Sequence, residues 1–269
     1  MSRRRILAFA AAVALAAPLA ACSGAAAPSN STSGAADDFG LVTPGVLTVA
    51  TEGTYRPFSF HEDGSGELTG YDVEIIEAVA DKLDLEVTFE ETQWDAIFAG
   101  LDAGRFDVIA NQVSINPERE EKYLFSEPYT VSPGVIVVKE DDDSISSFAD
   151  LAGKTTAQSL TSNWYELAQE SGAKVEAVEG WAQAVALLQQ NRVDATINDN
   201  LTFLDYETTN GPSGLKIAAE TDDPAYNAFA FTKNKTALVT AVDEALAELR
   251  DEGVLAEISK KYFGVDVSQ

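Results

Sequence analysis

The chain has a single cysteine, Cys22. No disulfide framework can form, so stability must come from burying apolar surface. It also has a single histidine, His61, too few with one cysteine for a His/Cys metal cluster, and its setting puts no serine–histidine–aspartate set in prospect. His61 lies beside Glu62, Asp63 and Gly64 and reads as part of a solvated hairpin turn. No glycine loop has the spacing that cradles phosphate, and the acidic run Asp141-Asp142-Asp143 lacks the spacing of a calcium loop. Positive charge is scarce: 18 Lys and Arg face 44 Asp and Glu, a net charge of −26. That balance excludes a nucleic-acid partner and repels an anionic lipid surface. No repeat of the solenoid kind is visible. No cofactor is expected.

The N-terminus is organised differently from the rest. Arg3, Arg4 and Arg5 form a positive segment, and Ile6 to Leu19 form an apolar stretch too short to serve comfortably as a mature membrane span. This reads as a secretory signal, and Leu19-Ala20-Ala21-Cys22 resembles a bacterial lipobox. The expectation is cleavage before Cys22, acylation of its thiol, and a protein held by lipid on the extracytoplasmic face of the cell membrane. An ordinary export signal with an incidental cysteine is the alternative. Residues 22–40 are expected to be a flexible tether, since Ser23 to Asp38 contains only Ala, Ser, Gly, Thr, Asn, Pro and Asp.

From Val46 onward, short β-prone runs alternate with helical periodicity. Val46 to Ala50 predicts a strand, the segment after Asp72 a helix, and Leu85 to Phe89 a second strand. In that helix Ile76, Val79, Ala80 and Leu83 recur at helical spacing, with Asp72 placed as its N-cap. A helix from Trp94 to about Ala103, closed by Gly104, leads to a buried strand Phe106 to Ala110. The pattern then restarts: strands at Thr155 to Leu160, Lys174 to Val178 and Asp194 to Asn198 frame helices from about Asn163 and from Trp181. Two such series predict an α/β protein of two lobes, each a mostly parallel sheet flanked by helices. Lobe 1 is expected to comprise residues 41–133 and 229–269, and lobe 2 residues 134–228. The C-terminal helices, Thr236 to Arg250 and Val254 to Tyr262, are expected to pack back on lobe 1. The chain would cross near Val131 to Gly134 and again near Tyr226 to Ala230, with a ligand in the cleft at the strand carboxyl ends.

Polar residues cluster where those strands end. Asn111 to Arg119 follows one of them, and a guanidinium there can grip a carboxylate with two parallel N–H bonds. Ser159 to Asn163 is a strand-to-helix turn rich in helix-capping residues, whose free N–H groups make a second anion site. Asp199 supplies the opposite sign. An arginine and an aspartate on opposed loops suit a zwitterion.

Four further segments, Thr51 to Phe58, Leu68 to Glu74, Phe125 to Tyr129 and Lys261 to Phe263, complete a pattern. In their order and spacing the chain resembles the solute-binding proteins of ABC importers for polar amino acids, over roughly Val46 to Val267. The resemblance implies a two-lobed periplasmic-binding-protein-like fold of type II. It implies that Arg119 and the Ser162 region bind an α-carboxylate, and that Asp199 and Ser114 hold the α-ammonium while Gln112 offers its backbone carbonyl. Tyr55 and Trp94 would enclose the ligand side chain, with Glu52 nearby. Glu91 to Asp95, Asn111 to Val113 and Ala157 to Asn163 look like the branch that binds cystine, whose second polar end would need Glu52, Asn111, Gln158 or Asn163. A monomer that delivers an amino acid, L-cystine favoured, to a permease and its ATPase is the implied role, with no catalysis.

The residues alone leave other readings open. Arg119 could pair with Glu118 or Glu120 at the surface, Asp199 and Ser162 could simply cap helices, and Trp94 and Tyr55 could be core residues. Trp164 and Trp181 are assigned to packing, and Glu52 is as readily a solvated loop acid. A dehydratase acting on arogenate or prephenate is the enzyme alternative, with Glu52 as its one candidate general acid.

Overall fold

A computed structural model describes residues 39–268, all of which fall in one compact unit. The expected signal segment, Cys22 and most of the expected tether lie outside the described residues. The expected tether ends too late by two residues. Phe39 already packs on the core, and Lys235 Nζ donates to the Gly40 carbonyl.

The first half is built on β1 (Val46–Thr51), α1 (Tyr71–Lys82), β5 (Glu86–Glu91), α2 (Trp94–Asp102) and β6 (Val108–Ser114). A small antiparallel ribbon of β2 (Thr54–Tyr55), β3 (Ser59–His61) and β4 (Leu68–Thr69) sits between β1 and α1. His61 belongs to β3 rather than to an open turn: its ring meets the Gly66 carbonyl and Glu91 Oε1. After β6 come α3 (Pro117–Lys122), β7 (Tyr123–Phe125) and β8 (Thr130–Ser132). The second half holds β9 (Gly134–Lys139), β10 (Thr155–Gln158), α4 (Asn163–Glu170), β11 (Lys174–Ala177) and α5 (Trp181–Gln189). It continues through β12 (Ala195–Asp199), α6 (Asn200–Asn210) and β13 (Leu215–Glu220). Then β14 (Ala225–Thr232), α7 (Thr236–Asp251) and α8 (Val254–Phe263) return to the first half.

The two sheets repeat one plan. In the first, β5, β1 and β6 are parallel in that order, and β14 lies antiparallel to β6. In the second, β11, β10 and β12 are parallel, β9 lies antiparallel to β12, and β13 lies antiparallel to β9 and so runs with the parallel set. In each, the chain leaves the central strand to one side and comes back on the other, which opens a crevice at the strand carboxyl ends. Both sheets are therefore mixed. The antiparallel members arise because the chain passes between halves and returns running the opposite way. The return passage is at Thr221–Pro224, ahead of the Tyr226–Ala230 expected, since β14 pairs with β8 from Ala225 onward.

Burial follows the topology. β6 is buried at all seven positions, as a strand covered by helices on both faces should be. Edge strands β5 and β11 alternate exposed Glu and Lys with half-buried Val, which blunts them against further pairing. Core residues of α1, α7 and α8 pack together with Phe229 and Phe231 of β14, so the C-terminal helices do join the first half. A separate core under the second sheet joins Val135, Val185, Leu188 and Phe203.

Asp72 is not the cap of α1. The N-cap is Gly70 at φ 139°, and a Cβ there would lie 2.1 Å from the Phe58 carbonyl oxygen. Both the backbone angle and the contact demand glycine. Gly70→Ala is expected to cost about 1–3 kcal/mol, since the opposing atoms are backbone and cannot turn aside; thermal denaturation checks this, and an unchanged midpoint would refute it.

Candidate functional site

A cavity of about 360 Å³ opens between the two sets of carboxyl-end loops. This falls within the roughly 300–1,000 Å³ usual for small-molecule sites. The first half contributes Glu52 and Tyr55 after β1, Gln93 and Trp94 at the start of α2, and Asn111 and Gln112 of β6. The second contributes Gln158, Ser159, Ser162 and Asn163 around the start of α4, Glu179 and Trp181 before and in α5, and Asn198 of β12.

The strand expected to end at Ala110 runs on to Ser114, because β14 extends the pairing to Asn227↔Ser114. Asn111, Gln112 and Ser114 therefore stand on a buried strand instead of a loop. Gln112 adopts φ 50°, and its N–H donates to Asp72 Oδ2, which also accepts the Tyr129 hydroxyl. Asp72 thus works as a buried anchor for the site's backbone. Burial pushes its carboxyl up to about 7.

Asn116 and Pro117 set the position of Arg119. Asn116 caps α3 by accepting the Arg119 N–H at 2.8 Å, and Pro117 fits the first turn, where no N–H is needed. The side chain is not at the surface: Arg119 is 8% exposed, with its guanidinium 5.3 Å from the ring centres of both Trp94 and Phe98. It donates to the Ser114 carbonyl at 2.8 Å and to the Thr161 carbonyl, on the opposite half, at 3.2 Å. Burial pushes it down to about 10, still charged at neutral pH. Ser114 Oγ donates to Asn227 Oδ1. Arg119, Ser114 and Asp199 stand behind the cavity wall, whereas Glu52, Tyr55, Trp94, Gln112, Ser162 and Asn163 are part of it.

Asp199 ends β12 and caps α6, accepting the Leu201 N–H at 2.9 Å and the Ser132 hydroxyl. Burial pushes its carboxyl up to about 6. Ser162 caps α4 by accepting the Tyr165 N–H at 3.1 Å. Two N–H groups of this turn are already engaged: Thr161 N–H with Asp95 Oδ1 at 3.3 Å, and Ser162 N–H with the Ser159 carbonyl.

Direct bonds join the halves. The Tyr55 hydroxyl donates to Asn198 Oδ1 at 2.8 Å and accepts from Thr202 Oγ1 at 3.2 Å. Thr161 Oγ1 donates to Asp95, and Arg56 pairs with Asp205. Glu52 is fixed from its own side: its N–H donates to Asn111 Oδ1 at 2.8 Å, and Asn111 Nδ2 donates to Glu52 Oε2 at 2.6 Å. Burial pushes the Glu52 carboxyl up to about 7, against the opposing pull of Asn111 and the Trp94 N–H.

Trp164 and Trp181, assigned from sequence to packing, also line the cavity. Trp164 stacks so closely on the passage strand that a Cβ on Gly134 would lie 2.4 Å from its ring. Among cavity residues, Trp94 Nε1, Trp181 Nε1, Gln158 Nε2 and both amide atoms of Gln112 are buried without a protein partner. Such groups require water or a ligand. Among the described residues no His, Cys, Asp and Glu group could hold a metal ion.

Two mixed sheets facing a cavity with unsatisfied hydrogen-bonding groups define an α/β small-molecule-binding protein. The chain belongs to the bacterial extracellular solute-binding proteins, family 3, which it matches over residues 47–265. It is 54% identical over 225 residues to the L-cystine-binding protein TcyA of Bacillus subtilis, covering 84% of each chain. It resembles the unliganded, open L-cystine solute receptor of Neisseria gonorrhoeae at 46% identity and TM-score 0.57, covering 83% of this chain and 95% of that one. An ancestral arginine-binding protein bound to glutamine matches at 34% identity and TM-score 0.78, covering 82% and 99%.

Proposed function

We propose that this protein is the extracytoplasmic substrate-binding component of an amino-acid ABC importer, that its ligand is L-cystine, and that it hands the ligand to a membrane permease. The observation that carries the reading is the cavity itself, which is of amino-acid size, together with a buried guanidinium, Arg119, on one half and a buried carboxylate, Asp199, on the other, both outside its immediate lining. Asp199 is held by neutral donors, an arrangement suited to an incoming ammonium. Arg119 and the Ser162 turn take the α-carboxylate, while Asp199, Ser114 and the Gln112 carbonyl take the α-ammonium. Tyr55 and Trp94 enclose the side chain, and Glu52 and Asn163 stand toward its far end. The names of the relatives support cystine, and those relatives are binding proteins.

The two sheets act as two lobes hinged at Ser132–Gly134 and Thr221–Pro224. The bonds that join the halves are those of a closed state, and the higher structural similarity to a ligand-bound relative supports that reading. Closure needs contacts that exist only when both halves touch the ligand. The chain acts as a monomer, tethered by a lipidated Cys22 after removal of residues 1–21.

A thermal-shift panel of amino acids tests the function. A ligand present at 100 times its Kd stabilises the native state by about 2.7 kcal/mol. L-cystine is expected to give the largest rise in midpoint. Equal rises with glutamine, histidine and arginine would reject the cystine assignment, and turnover of arogenate or prephenate would reject a pure carrier.

A further inference from the structure

The segment by which the chain leaves the first half, around β8, is gripped from both sides of a single residue step. Upstream the first half holds it: Arg250 donates to the Pro128 carbonyl at 2.9 Å, the Tyr71 hydroxyl to the Tyr129 carbonyl at 2.7 Å, and the Val131 N–H to the Val267 carbonyl at 2.9 Å. Downstream the second half holds it: the Ser132 hydroxyl donates to Asp199 Oδ2, and the Pro133 carbonyl accepts the Asn200 N–H at 3.0 Å. Val131 and Ser132 are neighbours, so the two grips meet without slack.

Two hydroxyls of this segment end on buried carboxylates. Tyr129 reaches Asp72 at 2.9 Å, and Ser132 reaches Asp199. All four residues are at most 2% exposed. Each carboxylate in turn fixes backbone. Asp199 holds the first turn of α6 through the Leu201 N–H. Asp72 holds the Gln112 N–H where the register of β6 on β14 shifts between Val113 and Ile109. Gln112 stands there at φ 50°, a conformation that a residue other than glycine keeps only where its surroundings impose it. Asp72 Oδ1 is buried without a protein partner, so its hold on both Gln112 and Tyr129 rests on Oδ2 alone. Burial, and to a smaller degree the Asp199 charge, push the Asp72 carboxyl up, so the two carboxylates stand within electrostatic reach of each other.

We propose that Tyr129 and Ser132 are positioning residues for the ligand ammonium: acting through Asp72 and Asp199, one crossing segment sets the spacing between the Gln112 carbonyl of the first half and the Asp199 carboxylate of the second. This rests on the function proposed above and adds to it how two acceptors built on separate halves keep one geometry when the cleft closes. Neither hydroxyl lines the cavity, so both act at one remove from the ligand. Their effect on the ammonium seat requires both ends to be fixed, because a segment released at either end lets the two acceptors drift apart. Their effects on stability are separate, since the two hydroxyls share no partner.

Isothermal calorimetry with L-cystine on Tyr129→Phe, Ser132→Ala and the double variant, beside thermal melting of the same proteins without ligand, tests this. Each single variant is expected to bind about tenfold more weakly, the effect of losing one hydrogen bond to a charged group. The double variant is expected to lose about tenfold as well, rather than the roughly hundredfold product of independent sites, while the drops in melting midpoint add. Both substitutions remove only a hydroxyl, and the Tyr129 ring stays against Phe229, its centre 4.3 Å away. Circular dichroism confirms that each variant is folded. Should Tyr129→Phe fail to fold, Ser132→Ala decides alone, and unchanged affinity in it would overturn the positioning role. Losses that multiply in the double variant would overturn it too, since each hydroxyl would then be a separate structural contact. Absence of any L-cystine heat with the wild type would overturn the cystine reading and the positioning role with it.

Discussion

Replacing Arg119 with alanine is expected to abolish measurable amino-acid binding while leaving a folded protein. The guanidinium is buried against Trp94 and Phe98 and reaches carbonyls on both halves, Ser114 at 2.8 Å and Thr161 at 3.2 Å. Removing it takes away the proposed partner of the ligand carboxylate and one of the bonds that close the cleft. Truncating one member of a buried, hydrogen-bonded charge pair costs about 2–5 kcal/mol, a loss of roughly 30-fold to several thousand-fold in affinity. Arg119→Lys keeps the charge but not the planar fork, so it should recover only part of the loss. Isothermal calorimetry with L-cystine reads the effect, and undiminished affinity in Arg119→Ala would reject the assignment.

The largest expected effect on stability lies away from the cavity. Lys235 Nζ meets Asp107 Oδ1 at 2.6 Å, with side chains 9% and 0% exposed. Asp107 also accepts the Val42 N–H at 2.9 Å and the Thr48 N–H at 3.1 Å, and Lys235 donates to the Gly40 carbonyl. The pair thus ties the start of the described chain to β1 and to the loop before α7. Lys235→Met removes the cation and leaves the carboxylate buried, at a cost of about 3–5 kcal/mol. For a protein of this size the melting midpoint should fall by roughly 10 °C. Calorimetric melting checks the figure; a fall under about 2 °C would show that Asp107 finds other compensation. Neither residue lines the cavity, so ligand affinity of the folded fraction should hold.

The elements legible in the sequence are those fixed by local pattern. Ile76, Val79 and Ala80 at helical spacing identify α1, and the β-prone run Val46 to Ala50 identifies β1, because periodicity and burial act within a few residues. Helix α3, capped by Asn116 with Pro117 in its first turn, is absent from the sequence reading, which takes Asn111 to Arg119 only as a polar segment after a strand. The sequence marks Tyr226 to Ala230 as a crossing between lobes but not as β14 of the first sheet: its partners β6, β7 and β8 lie roughly a hundred residues earlier, and antiparallel return strands interrupt the alternation of strand and helix. The extension of β6 through Ser114 depended on that pairing and was missed with it. Asp72 was read as a cap because acids favour helix starts, but burial under β6 gave it the Gln112 N–H and the Tyr129 hydroxyl instead.

The sequence by itself determined that the chain is an acidic α/β protein of repeated strand–helix units, without disulfides, bearing capping and ionisable residues at its strand ends. Only the tertiary structure decided which of those residues face one another. Tyr55 meets Asn198, Arg119 meets Thr161, and Glu52 shares a cavity with Glu179, although each pair is distant along the chain. Local propensity fixes backbone within a few residues, whereas a cavity between two halves depends on how separately built sheets close on each other.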